Sequence, residues 1–393
     1  MNKLTVKDLD VQGKKVIARC DFNVPLDDTL NITDDMRIQA ALPTIKYILE
    51  NGVSKLILMS HLGRPKGEVK ESMRLTPVAQ RLKELLGEEV LKLDDCVGGD
   101  VAAAIDASTA RVILLENLRF HKEETANDPD FAKKLASLAD LFVNDAFGTA
   151  HRAHASTEGV THYLTSAAGF LLEKEIQYLG GAVNDPKKPF TVILGGAKVS
   201  DKITLIENLL TKADNILIGG GMAFTFLKAL GQEIGHSLLE EDKIDVARGL
   251  IEKAKAVGVN LELTQDFVVV DDFNAKDTAV ISEEIPADKE AIDIGPKTRE
   301  AFKTILSASK TIVWNGPVGV FEIDEYANGT KVIAEHLATL TEATTIVGGG
   351  DSAAAVKKFN VEAGMTHIST GGGASLEFLE GKELPGVAAL TDK

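Results

Sequence analysis

The sequence predicts an α/β fold of two Rossmann-like domains, each a parallel β-sheet flanked by helices, separated by a cleft and joined by an interdomain helix. Three observations predict it. At 393 residues the chain is longer than one hydrophobic core sustains, since cores stop growing at roughly 250–300 residues. Short apolar runs alternate with longer amphipathic ones from end to end, the rhythm of parallel strands covered by helices on both faces. In the middle, AAGFLLEKEIQYLGGAVNDPKKP (167–189) reads as one helix closed by Gly180 and Gly181, then a Pro-bearing link. The expected division is a first domain over 1–170, a connector over 171–186 and a second domain over 187–376.

In the first half, VIAR (16–19), KLILMS (55–60), RVILLE (111–116) and LFVND (141–145) read as buried strands. Between them, MRIQAALPTIKYILENG and TPVAQRLKELLG have helical spacing and stop at Gly52 and Gly87. The second half repeats the rhythm: FTVILGG, NILIGGG, DFVVVDD, TIVWNGP, TTIVGGG and THISTGGG are strand-like, each followed by loop chemistry.

Composition narrows the function. Hydrophobic residues make up 44% and charged residues 26%, ordinary for a soluble globular protein. A net charge of −16 argues against nucleic-acid or membrane-surface partners, which select a basic face, yet leaves room for small anions held by a local Arg cluster. Cys20 and Cys96 alone make neither a disulfide framework nor a Cys-x-x-Cys metal site. The N-terminus lacks a signal-length apolar core, and no apolar run reaches bilayer length. The sequons at Asn31 and Asn328 are therefore chance matches, and the reading is a cytoplasmic enzyme.

Two residue types are unevenly placed. Of ten Arg, eight lie at or before Arg152; of 34 Gly, 22 lie after Pro186. Arg offers a planar fork to carboxylate and phosphate, whereas Gly lets backbone N–H groups approach phosphates at helix N-termini. Ligands of open α/β sheets sit outside the carboxyl ends of the strands, so the residues just after each strand carry the most information. In the first domain these are Asp21 and Asn23, His61 and Arg64, Arg119, and His151 with Arg152, while Arg37 opens the first helix. One post-strand Arg is usually a surface residue; three loops with Arg or His, and Arg37 beside them, on one rim predict a pocket for a ligand bearing both carboxylate and phosphate.

In the second domain the loops are GGAKVSDK (195–202), GGGMAF (219–224), NGPVGVFE (315–322), GGGDSAA (349–355) and TGGGASLE (370–377). Singly each is ordinary turn chemistry; together they predict a surface of exposed N–H donors. Lys198 and Lys202, four apart at a helix start where the dipole disfavours cations, call for an anion. Asp351, at another helix start, reads as an N-cap and also as a ligand for Mg²⁺, which takes one or two carboxylates plus nucleotide phosphates. No P-loop, dinucleotide fingerprint, G-x-S-x-G or H-E-x-x-H occurs, which removes those enzyme classes.

With these motifs in hand, the sequence resembles the phosphoglycerate kinase family over essentially its whole length. DFNVPL, SHLGRP, LLENLRFH, NDAFGTAHRAHAS, LGGAKVSDK, IGGGMAFTF, VWNGPVGVFE, GGGDSAA and STGGGASLEFLEGKELPG stand in that family's order. The resemblance implies that 3-phosphoglycerate or 1,3-bisphosphoglycerate is bound by Asp21, Phe22, Asn23, Arg37, His61, Leu62, Gly63, Arg64, Arg119, His151 and Arg152. It implies that ATP or ADP, as the Mg²⁺ complex, is surrounded by Gly196, Ala197, Lys198, Lys202, Gly220, Gly295, Asn315, Pro317, Glu322, Gly349, Gly350, Asp351 and Ser352. Transfer is then stabilised by Arg37, Lys198 and Lys202 with the Gly350 and Gly373 amides. Residues 377–393 return to the first domain, the two domains close during reaction, and the chain works as a monomer. Cys20, where the family has an apolar residue, and Ser352, where Thr is also common, are small departures.

Overall fold

The computed structural model describes residues 2–393. The chain forms two compact units, Met1–Gln177 with Glu383–Lys393, and Tyr178–Lys382.

The first unit is built on six parallel strands: β1 (Lys15–Arg19), β2 (Lys55–Met59), β3 (Val90–Lys92), β4 (Val112–Leu114), β5 (Leu141–Asn144) and β6 (Thr165–Ala168). Their order is β3-β4-β2-β1-β5-β6, so the connections leave β1 on one side to β2 and return on its other side at β5. β1 and β2 are buried at four of five positions, because helices cover both faces of the sheet. Helix Met36–Glu50 packs Ile38, Ile45 and Ile48 into the core beside Val16, Leu56 and Leu58. Helix Thr76–Leu86 stops at Gly87, which takes the left-handed conformation with φ of 66°.

The segment 383–393 belongs to this unit and is stitched to it from several directions. Leu4 N–H donates to the Thr391 carbonyl at 2.8 Å and Gly386 N–H to the Ala150 carbonyl at 2.9 Å. Asn144 Nδ2 donates to the Gly386 carbonyl at 2.9 Å, and Lys3 Nζ to the Ala388 carbonyl at 2.7 Å.

The second unit holds another parallel six-stranded sheet from β7 (Phe190–Leu194), β8 (Asn215–Ile218) and β9 (Asn260–Glu262), then, after a three-strand insertion, from β13 (Thr311–Asn315), β14 (Thr344–Gly348) and β15 (His367–Ile368). The order is β15-β14-β13-β7-β8-β9. The insertion, β10 (Phe267–Val270), β11 (Val280–Ser282) and β12 (Glu290–Ile294), is a separate antiparallel sheet with β10 in the centre. DFVVVDD therefore is a strand, but it pairs antiparallel with its near neighbours in sequence and does not join the parallel rhythm. Its core is also its own, with Val269, Phe267 and Ala291 packed on Phe224 and Leu227.

Helix Phe170–Asn184 carries the chain from one unit into the other. Gly180 and Gly181, expected to close it, are passed through. A Cβ at Gly180 would make only an ordinary contact, 3.7 Å from the Phe378 ring, and neither glycine takes a positive φ, so the helix continues to Asn184. Among the described residues, no helix is long and apolar enough to cross a membrane.

Candidate active site

In the first unit, β1, β2, β4 and β5 all point their carboxyl ends the same way, because the sheet is parallel, and the residues that follow them share that end. Asp21 follows β1 and pairs its carboxylate with the Arg37 guanidinium, which enters from the second position of helix Met36–Glu50. Asp21 is nearly buried, and Arg37 keeps about a third of its side chain exposed. The dipole penalty for a cation at that helix start is thus met by a carboxylate at its side.

Phe22 N–H donates to Ser60 Oγ at 2.8 Å, and Asn23 Oδ1 accepts from Gly63 N–H at 2.8 Å, so the loops after β1 and β2 hold each other. Arg119, after β4, donates from Nη1 to the Gly63 carbonyl at 2.9 Å, which adds the third loop. Phe22 and Leu62 are buried and act as the packing beneath these loops. Arg64 and Arg152 are exposed, the latter donating from Nε to His151 Nε2 at 3.1 Å.

The electrostatics of this end are unusual. Burial, then the nearby guanidiniums of Arg19 and Arg152, push Arg119 down to about 10. Burial and the charges of Arg19, Arg119 and Arg37 hold His61 well below the usual imidazole range, and His154 is pushed down to about 4 by burial with Arg119, Arg19 and Arg152 helping. Arg119 Nε is also buried without a hydrogen-bond partner. Crowded cations whose protonation is disfavoured, with a donor left over, form a site that a bound anion relaxes.

Sequence reasoning missed the support behind this rim. Arg19, the last residue of β1, is entirely buried, and so are Glu124 and Ser156. Arg19 was visible as a charge ending an apolar strand, and Ser156 and His154 lay within HRAHAS. Glu124 sat unnoticed in KEET, which reads as a solvated helical turn.

In the second unit, the loops after β7, β13 and β14 and the start of helix Gly373–Leu379 line an open pocket of about 420 Å³. Gly196, Ala197, Lys198, Lys202, Asn315, Gly349, Gly350, Asp351, Ser352 and Gly373 all lie on it. The backbones here approach very closely: a Cβ on Gly195 would stand 2.0 Å from the Pro317 carbonyl oxygen, and one on Gly220 2.8 Å from Gly196 N. That closeness spends donors. Gly196 N–H donates to the Pro317 carbonyl at 2.9 Å, Gly220 N–H to the Val318 carbonyl at 2.8 Å, and Gly316 N–H to Ser352 Oγ at 2.6 Å. Five loops therefore do not form five sets of exposed donors. The first three scaffold the pocket, and the N–H groups facing it come from the first turn of helix Gly350–Lys358 and the start of helix Gly373–Leu379, where no intrahelical acceptor exists.

Lys198 and Lys202 both reach the pocket, but not by helical spacing. The helix begins only at Ile203, and the two lysines sit in the turn before it. Lys198 is exposed; Lys202 donates to Asn315 Oδ1 and is half-buried, and burial lowers its pKa despite Asp201 and Asp351 nearby. Asp351 is at the second position of its helix, where Gly349 is the N-cap and no side chain caps. Its exposed carboxylate faces the same pocket, which suits a hard cation shared with phosphate oxygens.

Gly220, Gly295, Pro317 and Glu322 lie off this pocket. Gly220 lines a narrow recess with Phe224, Ile292, Ile294 and Val318, and Gly295 follows Ile294, its N–H donating to the Asp266 carbonyl at 2.9 Å. Pro317 contributes the carbonyl that Gly196 binds, and Glu322 is exposed farther along that loop.

The phosphoglycerate kinase family model matches residues 6–382. The chain belongs to the phosphoglycerate kinase family. It is 59% identical to the phosphoglycerate kinase of Gloeothece citriformis and 58% identical to that of Moorella thermoacetica, each across the full length of both chains. Among solved structures it is similar to phosphoglycerate kinase from Coxiella burnetii, with a TM-score of 0.90 at 41% identity, and to that from Pyrococcus horikoshii, with 0.81 at 34%; each alignment covers 98% of both chains.

Proposed function

We propose that the chain transfers a phosphoryl group reversibly between ATP and the carboxylate of 3-phosphoglycerate, giving ADP and 1,3-bisphosphoglycerate, with the first unit holding the glycerate and the second the nucleotide. The observation that carries the reading is the rim of Arg37, Arg64, Arg119 and Arg152 with His61 and His151 on one unit, matched by the Lys198–Lys202 turn and the Gly350 helix start on the other. Arg64, Arg119, His151 and Arg152 hold the substrate's phosphate and carboxylate as bidentate or point donors, and Asp21 with Asn23 orient them and bind its hydroxyl. The nucleotide phosphates lie along Gly196, Ala197, Lys198 and Lys202 and at the Gly349–Ser352 helix start. The base rests over the recess of Gly220 and Val318, flanked by Gly295, Pro317 and Glu322, and Asn315 keeps Lys202 aimed.

Chemistry follows from the acceptor. A carboxylate is already a nucleophile, so no general base is required, and the protein's work is to align two anions and offset their repulsion. Arg37, turned out beside Asp21, meets the phosphoryl group in flight. Lys198, Lys202 and the Gly350 and Gly373 amides neutralise it from the nucleotide side. Asp351 would hold Mg²⁺ together with the nucleotide phosphates, and the ion would supply further charge neutralisation at those oxygens. Water must be kept from the acyl phosphate, which transfer after closure of the domains accomplishes. Following the family resemblance, we take the enzyme to work as a cytoplasmic monomer.

The test is a coupled assay of ADP production with 3-phosphoglycerate and Mg·ATP. Turnover that needs all three supports the reading; ATP hydrolysis indifferent to 3-phosphoglycerate overturns it.

A further inference from the structure

We propose that Glu124 and Ser156 are positioning residues of the phosphoglycerate site, acting through Arg19 to fix which ring nitrogen His61 offers to the substrate. The inference rests on the assignment of that site to the first unit. Arg19 is wholly buried and has three partners: Nη1 donates to the Cys20 carbonyl, Nε to Ser156 Oγ at 2.8 Å, and Nη2 contacts His61 Nδ1 at 3.1 Å. Beyond it, Ser156 Oγ lies 2.6 Å from Glu124 Oε1, and Ser156 N–H donates to Glu124 Oε2 at 3.0 Å. His154 Nδ1 stands 3.7 Å from Glu124 Oε1.

The direction of every proton in this chain is forced. A guanidinium only donates, so Ser156 Oγ must accept from Arg19 and give its own proton to Glu124. By the same rule His61 Nδ1 must accept from Arg19 Nη2, so it carries no proton. His61 is nearly buried among guanidiniums, which keeps the ring neutral, and its single proton therefore sits on Nε2. The ring thereby becomes a neutral donor from Nε2 to an anionic ligand. Without the lock, the other tautomer would offer that ligand a lone pair.

Glu124 serves a second purpose. It is the buried counter-charge that lets Arg19 stay ionised with no solvent access, and Ser156 spans the gap between the two. The carboxylate lies three side chains away from the substrate, so it positions and does not touch.

The test is nitrogen-15 NMR of the histidine rings in the ligand-free full chain, with steady-state kinetics alongside. The parent is expected to show His61 as the Nε2–H tautomer. Ser156→Ala keeps the backbone donor to Glu124 and removes the bridge. It is expected to give a tautomer mixture at His61 and to raise KM for 3-phosphoglycerate about tenfold, the scale of one charge-assisted hydrogen bond, with KM for Mg·ATP unchanged. An Nδ1–H tautomer in the parent overturns the proposal and needs no variant to fold. A folded Ser156→Ala that leaves either the tautomer or the 3-phosphoglycerate KM unaltered overturns it as well. Should the substrate assignment itself be wrong, the parent shows no turnover with 3-phosphoglycerate while the tautomer is still readable, so the two failures are distinct.

Discussion

Arg37, at a helix start, and Arg64, on a loop, are both read from the sequence as anion donors, but they are held differently. Arg37 is pinned by Asp21, whereas Arg64 is exposed with no side-chain partner among the described residues. A pinned donor is preorganised for charge that develops during transfer, so Arg37→Ala is expected to lower kcat by about 10²–10³. Arg64→Ala is expected chiefly to raise KM for 3-phosphoglycerate. Steady-state kinetics at saturating Mg·ATP separates the two, and a normal kcat in Arg37→Ala would reduce it to a binding residue. A second residue is predictable from pH. Asp145, buried after β5, accepts from Leu171 N–H at 2.9 Å, yet burial pushes its pKa up to about 6 from an ordinary 3.8. A folded state that holds a proton more tightly than the unfolded one is favoured below pH 4, and the advantage disappears as pH rises through 6. A shift of about two units corresponds to about 3 kcal/mol. Asp145→Asn keeps the acceptor and removes the ionisation, so urea unfolding is expected to show the variant at least as stable as the parent at pH 8, with little change between pH 4 and 6. At this scale the rim residues other than Arg37 were legible because they follow apolar strands, and Glu124 was not, because a charge in a charged turn gives no sign that the fold will bury it.

Glycine loops that read the same way fall into two kinds once built. At Gly195 a Cβ meets backbone at 2.0 Å, but at Gly350 it meets nothing within 4 Å and projects into the pocket. Gly195→Ala is therefore expected to compromise folding of the second unit. Gly350→Ala is expected to fold normally, with an unchanged thermal midpoint, and to raise KM for Mg·ATP several-fold by keeping phosphate off the helix start. Circular dichroism melts with kinetics decide it; a Gly350→Ala enzyme with parental KM removes that helix start from the nucleotide site. The parallel strands were readable because both faces are buried and the run is apolar. The short β3, β6 and β9 were not, since three or four residues such as TSAA carry no period. DFVVVDD read as one more parallel strand because its apolar run is indistinguishable from theirs; only its pairing with β11 and β12 sets it apart. The glycine pair near the end of helix Phe170–Asn184 misled for a similar reason, since glycine stops a helix only where it turns left-handed, and neither of these does.

Taken whole, the molecule carries −16 yet gathers five arginines, Arg19 among them, near one end of one sheet. A net negative surface disfavours polyanions, and a local cluster of guanidiniums suits small ones. The closing segment supports that cluster from beneath: Gly386 binds the Ala150 carbonyl, one residue before His151 and Arg152, and Asn144 at the end of β5. Removing residues 383–393 is expected to lower the thermal stability of the first unit and to weaken 3-phosphoglycerate binding far more than nucleotide binding. Calorimetry with and without each ligand measures it, and equal losses for both ligands would show the segment to be a general brace.

That segment also sets an order of events on the ribosome. Translation delivers residues 178–382 as one uninterrupted stretch, but the first unit waits for residues 383–393, which are made only after them. The unit whose synthesis starts first is thus the one that is completed second, and residues 178–382 can mature ahead of it.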